Sequence, residues 1–177
     1  MSLEVIARGN RLVGTAEIGS LVNAEFAWSR DSKAFFVTYS DGGNVGTYHV
    51  KVVYLADAGL RVIEPIANGS KLVRLKCFDQ ELPNVGAIKW MGRDSSWLLI
   101  AVEVPPHSSC ASMGTFRAFE IALPNGEIIE GFGQIEAKKA FRADLGQELR
   151  SSDDTCILRP FTCAPAGMDT QVSPVRK

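Results

Sequence analysis

The chain has 177 residues and a formal net charge of −1, with 46% hydrophobic and 22% charged residues. This length supports one domain with a real hydrophobic core, or at most two small domains. Because basic residues are not in excess, the composition argues against a nucleic-acid partner, and no apolar run approaches the roughly 20 residues that span a bilayer.

The N-terminal segment predicts a β-hairpin. Two β-prone runs, residues 3–7 and 11–18, are separated by Gly9 and Asn10, a favoured pair for a two-residue hairpin turn. The first eight residues lack a basic stretch followed by a long apolar one, so they do not match a secretory signal peptide. A chain from which such a peptide had been removed would look the same.

An internal repeat organises the chain, with copies at residues 24–65 and 86–131. Each copy begins with a strand that ends in a tryptophan, Trp28 or Trp90, followed by a tight polar turn that contains an aspartate. An apolar strand, a polar loop, a third strand, a glycine turn and a fourth strand follow. The repeat therefore predicts two four-stranded antiparallel sheets, and we expect its tryptophans and Trp97 to lie in the core.

The second strand of the first repeat is apolar on both faces. Phe35, Val37 and Tyr39 share one face, while Phe36 and Thr38 share the other. A strand that is apolar on both sides is buried on both sides. We therefore expect this strand in the middle of a sheet that packs against something on each face, as a propeller blade does.

Two connections of the first repeat carry turn signals. Residues 41–46 are glycine-rich, but a phosphate-binding loop would open a helix, whereas a strand at 48–55 follows here. We therefore interpret this connection as a hairpin loop. Further along, Asn68 and Gly69 predict another hairpin turn, before a strand over residues 71–77.

The C-terminal part changes from strand to helix. Apolar residues at helical spacing in an Ala-, Glu- and Lys-rich segment predict a helix over residues 134–149, weakened at Gly146. Beyond it the chain is loop-like. We therefore expect one β-rich domain at residues 1–150 and a C-terminal tail at residues 151–177.

Four cysteines bear on the cellular compartment: Cys77, Cys110, Cys156 and Cys163. They allow two disulfides in three pairings that the sequence does not distinguish. Four buried thiols in a cytoplasmic protein are the alternative. We favour disulfides, which predict a periplasmic or secreted protein.

The polar turn of the first repeat, residues 28–33, reads Trp-Ser-Arg-Asp-Ser-Lys and is followed by an aromatic and aliphatic strand. It resembles the repeats of TolB-like and WD-repeat-like β-propellers, in which a tryptophan-serine-x-aspartate-glycine-lysine turn joins the first two strands of a blade. Ser32 replaces the usual glycine here. In the second copy an extra residue precedes Asp94, and Ser95 and Ser96 stand in place of glycine and lysine. The resemblance implies a scaffold that holds protein or peptide partners.

The number of strands limits how such repeats can assemble. A closed propeller usually needs at least four blades of four strands, and this chain offers roughly eleven strands. Three arrangements remain: an open fragment capped by the helix, a pair of chains that completes one ring, or two packed sheets. We expect a mainly β fold with two packed four-stranded sheets, an N-terminal hairpin and one C-terminal helix, and a homodimer as the alternative.

The binding site is predicted at two loops, residues 40–47 and 105–115. They occupy equivalent places in the two repeats and should lie at the same end of the structure, where loops on a rigid scaffold serve recognition. The candidate binding residues are Asp41, Asn44, Tyr48, His107, Ser108 and Met113. The predicted function is non-enzymatic binding of a protein or peptide, as in an inhibitor, an immunity-type protein or an envelope-associated protein.

An enzyme is the alternative function. His107 and Cys110 could serve a Cys/His hydrolase or, with Cys156 and Cys163, a zinc site. His-x-x-Cys is the only short ligand spacing of this kind, whereas structural zinc sites usually have paired short spacings. We therefore expect no cofactor and no metal.

Overall fold

The computed structural model describes residues 2–7, 10–19, 23–43, 46–57, 59–73, 82–110 and 112–155. Within these residues the chain forms ten β-strands in three antiparallel sheets, followed by two short helices. The predicted mainly β fold with two four-stranded sheets, an N-terminal hairpin and a C-terminal helix is confirmed. No described helix has the length and apolar character needed to cross a membrane.

The N-terminal hairpin pairs β1 (Ser2–Ala7) with β2 (Arg11–Glu17). Ala7 pairs with Arg11, so three residues separate the paired strand ends. The prediction of a two-residue turn was therefore wrong by one residue. Asn10 has a φ of 59°, a left-handed conformation that asparagine tolerates better than most residues.

The first repeat forms one four-stranded sheet. Its strands are β3 (Glu25–Trp28), β4 (Ala34–Ser40), β5 (Tyr48–Ala56) and β6 (Gly59–Ile63), paired in chain order. Every residue of β4 is buried. Phe36 faces the second repeat and Phe35 faces the hairpin, so the prediction of a strand buried on both faces is confirmed.

The second repeat forms a sheet with the same strand order. Its strands are β7 (Asn84–Met91), β8 (Trp97–Glu103), β9 (Phe116–Ala122) and β10 (Glu127–Phe132). The two sheets pack face to face around a core that contains Phe36, Val52, Ile100 and Phe119. Alternate residues of a strand point to opposite faces of its sheet. Leu99 of β8 therefore points away from this core and is buried on the outer face of the second sheet.

The C-terminal helices cover that other side. They are α1 (Gln134–Phe141) and α2 (Gln147–Ser151), and Ala137 and Leu145 pack with Leu99 in a third core. The predicted helix is thus interrupted at residues 142–146. Gly146 has φ −60° and ψ 162° and precedes α2 as its N-cap, where glycine is acceptable although it weakens a helix interior.

The connection between the repeats differs from the prediction. Gly69–Lys71 is a 3₁₀ turn rather than a hairpin turn, and Asn68 Oδ1 accepts a hydrogen bond of 2.8 Å from the backbone N–H of Ser70. The predicted strand over residues 71–77 is absent at 71–73, and residues 74–77 lie outside the described ones. A Cβ on Gly69 would come within 2.8 Å of Val102 Cγ1, so only glycine fits under the second sheet here.

The four layers are therefore the hairpin, the first sheet, the second sheet and the helices. The tight turns of the two repeats meet at one end, where Ser95 Oγ lies 3.4 Å from Asp31 Oδ2. The strand ends that carry the two predicted binding loops meet at the opposite end, where Tyr48 N–H donates to Asn84 Oδ1. The two loops thus leave the same end of the structure, as predicted.

Candidate binding cleft

A cleft of about 620 Å³ opens at the loop-bearing end of the two sheets. Its walls come from three layers: the first sheet, the second sheet and the helical segment at residues 144–149. Lining residues include Thr38, Tyr48, Asn84, Gly86, Ile88, Glu103, Leu145, Glu148 and Leu149. A concave site of this size with mixed apolar and polar walls is typical of ligand pockets.

Glu103, the last residue of β8, lies at the buried end of this cleft. It points to the helix side of the second sheet, as Leu99 and Ala101 do, and it is 8% exposed. Its Oε2 accepts a hydrogen bond of 3.2 Å from Asn84 Nδ2, and Asn84 Oδ1 in turn accepts one of 3.1 Å from the backbone N–H of Tyr48. Asn84 thus fixes the carboxylate and links the two sheets.

Burial controls the ionisation of Glu103. Loss of solvation is the largest cause acting on the pKa of Glu103 and raises it, the hydrogen bond from Asn84 lowers it, and the negative charge of Glu148 adds a smaller rise; together these causes bring the pKa to about 7. A carboxyl group with such a pKa changes its charge near neutral pH. Perturbed groups of this kind are concentrated at functional sites.

The charged residues that line the cleft are all acidic: Glu25, Glu103, Asp144 and Glu148. Asp144 is already compensated, because Lys89 Nζ lies 2.6 Å from its Oδ2. The other three have no cationic partner among the described residues. The cleft therefore presents a negative potential to a ligand.

Of the predicted binding residues, Tyr48, the first residue of β5, lines the cleft. Asp41 instead closes its own loop, since its Oδ1 accepts a hydrogen bond of 2.8 Å from Thr47 N–H and its Oδ2 lies 3.2 Å from His49 Nε2. Asn44 lies outside the described residues. The glycine-rich connection leads directly into β5, as expected of a hairpin loop rather than a phosphate-binding loop.

The second predicted loop lies beside the cleft. His107 and Met113 are exposed, and Ser108 Oγ accepts a long hydrogen bond of 3.4 Å from Cys110 N–H. None of these residues is part of the cleft wall. The structure therefore brings Tyr48 into the site and leaves the other described candidates on the loops around it.

Cys110 is buried and is not a free thiol. A sulfur that is not a free thiol cannot supply the thiolate that a Cys/His hydrolase or a zinc site requires. No cluster of three or more metal-binding side chains is present in the part of the chain that the structure describes. Cys77, Cys156 and Cys163 lie outside that part, so the predicted pairing of the cysteines stays a prediction.

Two of the three tryptophans are not core residues. Trp28 and Trp97 are 46% and 45% exposed, so the expectation that they lie in the core was wrong for both. Each stands at an end of its strand and on the outer face of its sheet: Trp28 is on the hairpin side, with its ring centroid 4.8 Å from that of Phe35, and Trp97 is on the helix side with Leu99. Trp90 is partly buried against the core, and its Nε1–H donates to the carbonyl of Ala27 at 3.0 Å.

No family model matches the chain, and neither a curated protein nor a solved structure is detectably similar to it. The resemblance to β-propeller repeats therefore stays a prediction that rests on the turn motifs.

Sequence reasoning missed Glu103, Asn84 and Glu148. Glu103 ends an apolar strand, a position where a charged residue usually meets solvent. One signal was available: the equivalent strand of the first repeat ends in Ser40, so the repeat changes from a small hydroxyl to a carboxylate at this point. Nothing in the spacing of the three residues places them in one cleft.

Proposed function

We propose that this protein is a non-catalytic binding module that holds a segment of a protein or peptide partner. The observation that carries the proposal is the cleft of about 620 Å³ at the loop-bearing end of the sheets. Two of its three walls belong to the packed four-stranded sheets, so most of the site is preorganised and loses little conformational entropy on binding. The loops that follow β4 and β8 leave the same end of the two sheets and extend the surface available to a partner.

The composition of the wall supports a peptide ligand. Ile88, Ala101 and Leu149 supply apolar surface, while Tyr48 and Asn84 supply groups that can form hydrogen bonds. A peptide offers both kinds of surface in one extended segment. A closed, wholly apolar cavity would instead favour a small hydrophobic molecule.

The proposal also covers the location of the protein and its assembly into a homodimer. We place the protein in the periplasm or outside the cell, because Cys110 is not a free thiol and disulfides persist in oxidising compartments. A homodimer would form through strand edges or loops, since the hairpin and the helices already cover the outer faces of the two sheets. The hydrolase alternative at His107 and Cys110 is less favoured, because it needs a free thiolate.

A cleft-filling substitution tests the proposal. A Cβ on Gly86 would meet only Thr38 Cγ2, at 3.8 Å, so Gly86→Leu can project into the cleft without disturbing the sheet. Gly133→Leu is the matched control, because a Cβ there meets nothing within 4 Å and Gly133 does not line the cleft.

The experiment is a selection of random displayed peptides on the purified wild-type protein, followed by affinity measurements on the selected peptides. We expect Gly86→Leu to weaken their binding at least about tenfold and Gly133→Leu to change it less than about twofold. Recovery of no specific binders, or of binders that Gly86→Leu leaves unaffected, would remove the cleft as the binding site.

A further inference from the structure

We propose that the cleft selects a cationic side chain of the bound segment, a lysine ammonium or an arginine guanidinium, and that Glu103 is the carboxylate that pairs with it. This inference rests on the proposed function and adds the chemical class of the ligand.

The carboxylate of Glu103 has few hydrogen-bond partners within the described part of the chain. The residue is more than nine-tenths buried, yet its carboxylate receives one hydrogen bond, from the neutral amide of Asn84 to Oε2. Oε1 accepts no hydrogen bond from any described residue. Buried carboxylates are normally paired with a cation or with several donors, because removing the charge from water is costly. Ser112 Oγ is the one fully buried side-chain nitrogen or oxygen without a partner among the described residues, so Oε1 of Glu103 reaches the solvent of the cleft and can accept from a ligand.

Among the described residues, no cation pairs with Glu103. No lysine or arginine is among the described residues that line the cleft, and the ammonium of Lys89, which reaches Asp144 at the wall, is paired with it. Glu25 and Glu148 add two more carboxylates without a cationic partner among the residues described. A ligand cation would therefore meet the carboxylates of Glu25 and Glu148 and the carboxyl group of Glu103, with no competing basic residue in the described lining of the cleft.

The cleft suits an organic cation better than it suits a metal ion. The described side chains form no cluster of three or more metal-binding groups, and a metal held by Glu103 alone would keep most of its water. By contrast, lysine and arginine carry a charged end group on an aliphatic stem. Ala101, Ile88 and Leu149 can cover such a stem while its end group reaches Glu103.

The probes for the test are n-butylammonium and n-butylguanidinium, with n-butanol as the uncharged compound of similar shape. Binding is followed by NMR, through the side-chain amide of Asn84 and the backbone amide of Tyr48, which report on the cleft directly. We expect saturable shifts with both cations and much weaker shifts with n-butanol.

Matched variants assign the effect to Glu103. Glu103→Gln keeps the size and the acceptor for Asn84, and we expect it to weaken binding of both cations at least about tenfold, as loss of a charged hydrogen bond does. Glu148→Gln, at the exposed rim, should weaken binding about threefold or less. Glu127→Gln makes the same charge change on β10, outside the cleft, and should leave binding unchanged.

The outcomes separate the two proposals. If n-butanol binds as well as the cations, or if Glu103→Gln and Glu127→Gln have equal effects, the inference is overturned. If displayed peptides bind in the cleft but contain no essential lysine or arginine, the binding function stands and the inference falls. If no displayed peptide responds to Gly86→Leu but the cations still bind at Glu103, the peptide-binding proposal fails while the cation site stands.

Discussion

The two repeats share one scaffold and differ at the residue that ends the second strand of each sheet. Ser40 ends β4 and is fully buried; its hydroxyl donates to the carbonyl of Gly43 and accepts from Gly42 N–H at 3.3 Å. Glu103 ends β8 and is satisfied only in part, by Asn84. The hydroxyl of Ser40 thus forms its hydrogen bonds with the loop that follows it, whereas the carboxylate of Glu103 lines the cleft. The equivalent strand ends of the two repeats thus carry groups that differ in charge and in hydrogen bonding.

The two sheets also differ in the layer that covers the outer face of each. The hairpin covers the first sheet and buries Phe35 and Val37. The helices cover the second sheet, but they are interrupted at residues 142–146, and Asp144, Leu145 and Gly146 of this segment line the cleft together with Glu103. The cleft therefore lies where the helical layer is interrupted.

The largest expected effects compare the two covering layers. Phe35→Ala removes a side chain packed under the hairpin, and Leu99→Ala removes one packed under the helices; they are 2% and 0% exposed. We expect each to lower the free energy of unfolding by about 3–5 kcal/mol, measured by chemical denaturation. Ile129→Ala, 46% exposed on β10, is the control and should change it by less than about 0.5 kcal/mol. A cost below about 1 kcal/mol for either core variant would mean that its covering layer is not packed.

The second prediction compares the two strand ends through pH. Glu103 titrates near 4.5 when unfolded and at about 7 in the fold, so the folded state retains a proton that the unfolded state loses between these values. The contribution of Glu103 to the free energy of unfolding is therefore most favourable below pH 4.5. It should fall by about 3 kcal/mol as the pH rises from 4.5 to 7. Glu103→Gln should remove this slope and be the more stable protein at pH 8.

The control for that experiment is Ser40→Ala. It removes hydrogen bonds at the equivalent strand end without removing a titrating group. We expect a loss of about 1 kcal/mol that is the same at every pH, seen in urea unfolding curves collected across the pH range. A wild-type profile parallel to that of Glu103→Gln would show that Glu103 ionises normally in the fold.

The smallest expected effects compare the tight turns of the two repeats. Ser32 has a φ of 56° in the first turn, and Gly92 has a φ of 75° in the second. The left-handed region favours glycine, so Ser32→Gly should raise the free energy of unfolding by up to about 1 kcal/mol, while Gly92→Ala should lower it by about 1 kcal/mol. Gly86→Ala, without a positive φ, is the control and should be neutral or slightly stabilising. If Ser32→Gly and Gly92→Ala changed the free energy of unfolding in the same direction, the left-handed backbone would not explain the difference between the two turns.

Much of the fold was predictable from local patterns. Strands with alternating or double-sided apolar residues, separated by glycine and asparagine turns, gave both four-stranded sheets, and β4 was correctly placed between two layers. The errors were also local. Asn68 caps a 3₁₀ turn with its own side chain, and Gly69 is needed as a small residue under Val102, so the pair does not form a hairpin turn.

The sequence by itself determined the strands, the repeat and the helix with its weak point, because hydrophobic periodicity and turn residues act within a few residues of one another. Only the tertiary structure decided the cleft. Glu103, Asn84 and Glu148 come from a strand end, the neighbouring strand and a helix, and their proximity follows from how the layers stack. The burial that raises the pKa of Glu103 is likewise a property of the packed layers, since the same carboxyl group at the end of an isolated strand would lie in water.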